Sequence, residues 1–448
     1  MTTAPKQLHL AAHFPGVDST TVWADPRSGS QIDFSSFEHL ARTAERGLFD
    51  FFFLAEELRL REHNGLIHDL DVVGRPESLT VLNALAAVTD RLGLAATVNA
   101  TFNEPFELAR RLATLDHLSE GRAGWNVVTS SDAFTGENFR RGGYPDRAGL
   151  PQVLGSARTA GTPLTRAAEF VATARELWDS WTPDGVPRPF AHHGEHFSIE
   201  GEFTLPRSPQ GHPVVIQAGD SPEGREFAAS AADVVFTRHG TLEAARAFYA
   251  DVKARLAKYG RGPDELKIMP GASFVLGETD AEAREKAAAI RLQQVSPQNA
   301  MLALEQVWGR DLSSYDPDGP LPEADPVPDP ELGQGQGRVR QGDPLAVAAR
   351  WRALSQAKGL SIRQTVIEAT SRQSFTGSPA TVAAELAGFV AAGAADGFVL
   401  VPHLTPGGLD EFVDRVVPLL QERGVFRSAY TGSTLRSHLG LAEPVWKG

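Results

Sequence analysis

The chain has 448 residues, a formal charge of −13 at pH 7 and a composition that is 42% hydrophobic and 22% charged, ordinary for a soluble globular protein that buries a sizeable core. The acidic balance has the wrong sign for nucleic acid, and the absence of cysteine removes disulfides, thiolate chemistry and zinc ribbons from consideration. The first apolar run, 8–12, is too short for a signal core or a membrane span, so a cytoplasmic location is expected.

Eight short apolar or β-branched runs follow one another along the chain, at 8–12, 49–55, 92–100, 123–129, 214–218, 233–238, 268–276 and 397–402. Each leads into an amphipathic stretch, the pattern of parallel strands joined by crossover helices. Eight such units in one chain predict an α/β fold of the TIM-type (β/α)8 class rather than an open doubly wound sheet. Phe34, Ser35 and Ser36 open a helix with its apolar rhythm at Phe37, Leu40, Ala41 and Ala44, ended by Gly47; Ser378 and Pro379 open another that Gly393 closes, with proline at the first helical position where its missing N–H costs nothing.

Two stretches break the rhythm. Residues 131–165, after the fourth strand, are rich in Gly, Pro and Arg, and residues 311–343, before the eighth, are rich in Pro, Gly and Asp. Loops this long are lids, binding loops or plain surface segments. The expected organisation is one barrel domain, 1–426, carrying insertions 131–165 and 311–343 and followed by a C-terminal tail, 427–448.

His192, His193 and His196 invite a metal reading, but Pro189 and Gly194 place them in a turn entering a β segment, without the helical spacing that sets two ligands on one face. There is neither a GxGxxG after a strand nor a GxxxxGK[ST], so any phosphate must be held otherwise. The segment AGDSPEGR at 218–225 leaves a strand and opens a helix. Ser221 can donate its hydroxyl there while free N–H groups of the helix start attract an anion; an ordinary N-cap with Pro222 at the first helical position is the simpler reading, and both can hold. Strand ends supply the remaining candidates, because in such a barrel they face the ligand: Glu56 after the second, Asn99 and Thr101 after the third, and Trp125 and Asn126 on the fourth.

Several long motifs resemble one family. They are TAERGLFD at 43–50 with FLAE at 53–56, NEPFELAR at 103–110, LDHLSEGR at 115–122, GWNVVTS at 124–130, QAGDSPEGR at 217–225 and PGGLDEF at 406–412. Together, in this order, they are similar to the nitrilotriacetate monooxygenase component A branch of the bacterial luciferase-like flavin-dependent monooxygenases, over about residues 8–426. The resemblance implies a luciferase-like TIM barrel acting as the oxygenase of a two-component system. An NAD(P)H:flavin reductase would supply reduced FMN, and O2 and a small organic substrate would complete the reaction, in a homo-oligomer (dimer or tetramer). Motif by motif, Glu56 falls where relatives have an aspartate at FMN, Thr101 with Asn99 beside it on their strand-three flavin contact, and Ser221 on the phosphate contact. Tyr144 falls where many relatives have a histidine, and Leu164 stands in place of the tyrosine that follows in them. His13, after the first strand, is the candidate proton donor or hydrogen-bond partner for oxygen at the flavin; a structural histidine is the alternative. Two other functions share the fold: a deazaflavin-dependent hydride-transfer enzyme, and a flavin-binding protein without catalysis.

Overall fold

A computed structural model describes residues 6–14, 20–56, 58, 62–63, 66–67, 75–129, 138–139, 163–239, 241–327, 343–371 and 374–447. Eight strands build the core: β1 His9–His13, β2 Phe51–Leu54, β3 Gly93–Asn99, β4 Ala123–Val128, β5 Val214–Ala218, β6 Val234–Thr237, β7 Lys267–Leu276 and β8 Gly397–Leu400. They lie in the order β6-β5-β4-β3-β2-β1-β8-β7, all parallel, and β6 pairs with β7 to close the cylinder. Each of the eight runs read from the sequence supplies one of these strands, and the closed ring is the expected (β/α)8 barrel. The short strand Ser374–Gly377 continues the pairing along the far half of β7.

Side chains on a strand alternate between faces, and here both faces are dry. Leu10, Ala12, Phe52, Leu54, Leu94 and Ala96 pack outward against the helices. Their neighbours Ala11, Phe51, Phe53 and Ala95 point inward, where they meet Val214, Ile216, Val234, Met269 and Val399. Parallel strands covered on both faces read as continuous apolar runs, which is why FFFL and VVIQA are legible without alternation.

The amino-terminal mouth is closed by residues beyond the last strand. Leu435, Leu439 and Leu441 belong to the interior cluster. A Cβ added at Gly93 would come within 2.6 Å of Leu435, so the glycine that opens β3 makes room for this plug. Three aspartates that each precede a barrel strand brace the same end: Asp50 accepts from Leu10 N, Asp233 from Val215 N and Asp396 from Ile268 N, each at 2.8 Å. Every one is buried and paired with basic side chains. Arg427 and His9 hold Asp50, Arg436 holds Asp233, and Lys6 with Lys253 holds Asp396.

The outer helices follow their caps. Helix α1, Phe34–Arg46, starts one residue after Asp33, so the two serines lie in its first turn, and Gly47 ends it. Helix Pro379–Ala391 is capped by Ser378, which accepts from Thr381 N, with Pro379 in the first turn; Gly393 follows at φ +66. His192 and His193 stand in an antiparallel hairpin, Pro189–His193 with Ser198–Glu202. Glu169, on the helix Pro163–Asp179, pins the hairpin turn by accepting from His196 N and Phe197 N. Part of the second expected insertion folds against a satellite of helices, Pro297–Trp308, Pro344–Lys358 and Ile362–Ala369. There Trp308 Nε1 donates to Ala324 O at 2.8 Å, and Arg352 donates to the carbonyls of Pro322, Glu323 and Ala324.

Candidate active site

The carboxyl ends of the strands carry the polar residues that the apolar interior lacks. On β3, Ala95 is inside the barrel, so the period of two brings Thr97 and Asn99 inside above it. On β4 the outward Trp125 turns Asn126 inward, and Asn126 Nδ2 donates to Thr97 Oγ1 at 3.0 Å. Asn126 is 3% exposed, yet among the described residues its Oδ1 has no hydrogen-bond partner. Gln217, at the end of β5, is 2% exposed; its amide nitrogen donates to Ala218 O at 2.9 Å, while its Oε1 is likewise unpartnered. A buried carbonyl without a donor costs about 1–3 kcal/mol, so two of them at one rim mark a place where a ligand's N–H or O–H groups fit.

Aromatic rings floor this region. His13, 7% exposed at the end of β1, lies with its ring centroid 5.3 Å from Phe53, and Phe53 is stacked on Phe236 of β6 at 5.5 Å. A Cβ at Gly271 would meet Phe236 at 2.9 Å, so glycine on β7 permits that ring to lie flat across the interior. The outcome is an aromatic interior with the amides of Asn126 and Gln217 at its carboxyl end, a chemistry suited to a heterocycle with polar edges.

The expected residues divide by what holds them. Glu56 accepts from Asn99 N at 3.0 Å, bridging the ends of β2 and β3. Asn99 Oδ1 accepts from Thr101 N at 2.5 Å and Phe102 N at 3.2 Å, and Asn103 Nδ2 donates to Asn99 O at 2.6 Å. Glu56, Asn99 and Thr101 therefore form one hydrogen-bonded rim, and Asn99 shapes the loop that presents Thr101. Phe102 stacks on Phe139 at 4.3 Å, and Arg166 donates to Ala100 O at 2.6 Å while lying over the Phe197 ring. Tyr144 lies outside the described residues, as does nearly all of 131–162.

Ser221 stands at the opposite part of the rim as the N-cap of the helix Pro222–Ala231, accepting from Gly224 N at 3.0 Å with Pro222 in the first turn. The cap uses an oxygen lone pair and leaves the hydroxyl hydrogen to donate. Beside it Asp220 Oδ1 accepts from Thr237 Oγ1 at 2.5 Å, and His239 lies 3.1 Å from that hydroxyl. Burial pulls the His239 pKa down, against the attraction of Asp220. Arg225 is fixed by Asp251 and by Asp220 O. A helix start with a capping hydroxyl free to donate is suited to an anion.

Thr97 and His403 were missed by sequence reasoning. Thr97 was legible in principle, two residues before Asn99 on the same face. His403, just past β8, is half-buried, and its Nδ1 has no partner among the described residues; burial, with Lys286 and Arg27 adding repulsion, brings its pKa down to about 4. Among the described residues no group of three or more metal-ligating side chains gathers, and no helix is long and apolar enough to cross a membrane.

Comparison with known proteins agrees with this architecture. Residues 13–396 match the luciferase-like monooxygenase family. The chain is 37% identical to N-acetyl-S-(2-succino)cysteine monooxygenase of Bacillus subtilis over 99% of both chains. It is 38% identical to nitrilotriacetate monooxygenase component A of Aminobacter aminovorans over 94% of this chain and 92% of that one. Among solved structures, a riboflavin lyase with modified FMN and riboflavin superposes with a TM-score of 0.75 at 28% identity, covering 99% of this chain and 98% of the other. A family match across most of the chain, with full-length relatives of this identity, decides the assignment: the chain belongs to the luciferase-like monooxygenases.

Proposed function

We propose that this monooxygenase is the oxygenase subunit of a two-component system, taking reduced FMN from a separate NAD(P)H:flavin reductase and using O2 to oxidise a small organic substrate. The observation that carries the reading is the pair of buried, unpartnered carbonyls, Asn126 Oδ1 and Gln217 Oε1, at the rim of a barrel that aligns end to end with monooxygenases. Both are acceptors, and an isoalloxazine with its ribityl chain offers an imide N–H and several hydroxyls. Phe53 and Phe236 supply the apolar bed, Glu56, Asn99 and Thr101 the edge on the β2–β3 side, and Ser221 with the first turn of its helix the phosphate end.

When bound, reduced FMN supplies the two electrons by which one oxygen atom of O2 enters the substrate and the other leaves as water. This chain's own residues hold the ring, keep bulk water from it and manage protons. His13, inside the barrel beside Phe53, would hold a proton for the oxygen chemistry. Asn126 is oriented by Thr97, so its amide is fixed before any ligand arrives.

The test uses the purified protein with reduced FMN, and in parallel with a reduced deazaflavin, in the presence of O2 and a substrate panel. Oxygenated product with FMN alone supports the reading. Hydride transfer with the deazaflavin, or tight FMN binding without any oxygen-dependent product, selects one of the two other functions of this fold.

A further inference from the structure

Where β5 gives way to the helix that Ser221 caps, the turn carries an acid that the phosphate end does not use. Asp220 immediately precedes the cap, and its carboxylate would repel an anion bound there. Aspartate side chains also bond backbone N–H groups a few residues further on. At this helix start Pro222 has no N–H, Gly224 N is spent on Ser221 Oγ and Arg225 N on Ser221 O. The Glu223 N–H is left without a partner among the described residues, so a loose Asp220 would compete with an anion for it. Asp220 is not loose: its Oδ1 accepts from Thr237 Oγ1 at 2.5 Å, and its carbonyl accepts from Arg225 Nε at 3.0 Å.

The proton positions follow from chemistry. A carboxylate only accepts, so Thr237 spends its one hydroxyl hydrogen on Asp220 and keeps lone pairs to accept with. His239 Nε2, 3.1 Å from the same oxygen, is therefore the donor, which assigns the neutral ring to the Nε2–H tautomer. Thr237 closes β6 and is 3% exposed. His239 is half-buried, its ring 4.7 Å from Phe248 of the helix Leu242–Leu256, so the tether is anchored outside the helix it serves. Hydrogen bonds in series polarise and strengthen one another. On the reading that Ser221 meets the FMN phosphate, we propose that Thr237 and His239 are positioning residues for FMN. They hold the Asp220 carboxylate against β6, which leaves the Ser221 hydroxyl and the Glu223 N–H open to the phosphate, and they act through Asp220 rather than through a contact of their own with the flavin.

The experiment measures, by fluorescence titration of the full chain and its variants, the dissociation constants of FMN and of riboflavin, which lacks the phosphate. Thr237→Val releases Asp220 and should weaken FMN about tenfold while riboflavin binds as in the wild type. His239→Leu removes only the outer donor, so a loss of about threefold is expected for FMN. His239→Gln, whose amide nitrogen can stand where Nε2 stands, should bind FMN as the wild type does. Adding Asp220→Ala to Thr237→Val should restore FMN affinity, because no carboxylate remains to be held. The proposal is overturned by wild-type FMN affinity in Thr237→Val, by FMN and riboflavin weakening together, or by a double variant that recovers nothing; the last two are what a packing role for Thr237 would give. Ser221→Ala tests the premise separately. If it binds FMN as the wild type does, the phosphate reading of Ser221 fails and the positioning role with it; if it weakens FMN while Thr237→Val does not, the positioning role fails alone.

Discussion

Ser221 caps a helix and in the proposed reading also contacts the FMN phosphate, and two substitutions separate these roles. Its Oγ accepts from Gly224 N at 3.0 Å, a cap whose loss in Ser221→Ala costs about 1 kcal/mol of stability. If the hydroxyl hydrogen also donates to the FMN phosphate, the same change removes a charged hydrogen bond of about 1.5–3 kcal/mol. Ser221 is exposed, so solvent screening favours the lower end, and the FMN dissociation constant should rise about tenfold. Ser221→Asp keeps an acceptor at the cap and suits the positive end of the helix, yet sets a carboxylate against the phosphate. At about 4 Å and an effective dielectric of 20 that repulsion has an upper bound near ~4 kcal/mol per charge pair. The expected pattern is therefore opposite in the two variants: Ser221→Ala loses some stability and some affinity, Ser221→Asp holds its melting temperature and loses affinity by at least a hundredfold. Melts without flavin and fluorescence titration with FMN read the two quantities separately. Wild-type FMN affinity in Ser221→Asp would refute the phosphate assignment and leave Ser221 as a cap alone.

Other outcomes follow from the same geometry. Asn126→Leu removes an unpartnered buried carbonyl but also the amide that Thr97 Oγ1 accepts from, so its thermal midpoint should stay close to the wild type while FMN binding, measured by titration, weakens tenfold or more. Arg436→Met strands Asp233, a buried carboxylate that burial pushes up and Arg436 and Arg175 hold down; breaking such a pair costs about 3–5 kcal/mol, to be read as an earlier denaturant midpoint. His403 has its pKa lowered from 6.5 to about 4, so the unfolded chain takes up the proton first. Its contribution to stability is complete above pH 6.5 and is lost as pH falls from there through about 4, a slope in melts across that window that His403→Phe should flatten.

The barrel was legible because its strands are covered on both faces and leave unbroken apolar runs, and because Ser378, Pro379 and Gly393 punctuate a helix in the way backbone geometry demands. Boundaries shifted by one or two residues where caps decide them, as at Asp33. The rim was legible in part. Glu56, Thr101 and Ser221 stand just past strand ends and Asn99 closes one, positions the sequence marks; Thr97 sits inside a run, and only the inward parity set by Ala95 distinguishes it from core. The roles of Asp50, Asp233 and Asp396 escaped the sequence because an acid before a strand looks like a loop residue until the neighbouring strand's N–H is in place. Leu435, Leu439 and Leu441, in a segment expected as a tail, gave no strand or helix period strong enough to show that they enter the barrel.

Diffraction from crystals of this chain grown with FMN decides whether the carboxyl rim holds the flavin. The isoalloxazine should lie beside Phe53 and Phe236 within reach of Asn126 Oδ1, with the phosphate at Ser221 and the start of the helix Pro222–Ala231. Flavin density elsewhere with an empty carboxyl rim, or no flavin density at saturating concentration, would overturn that assignment.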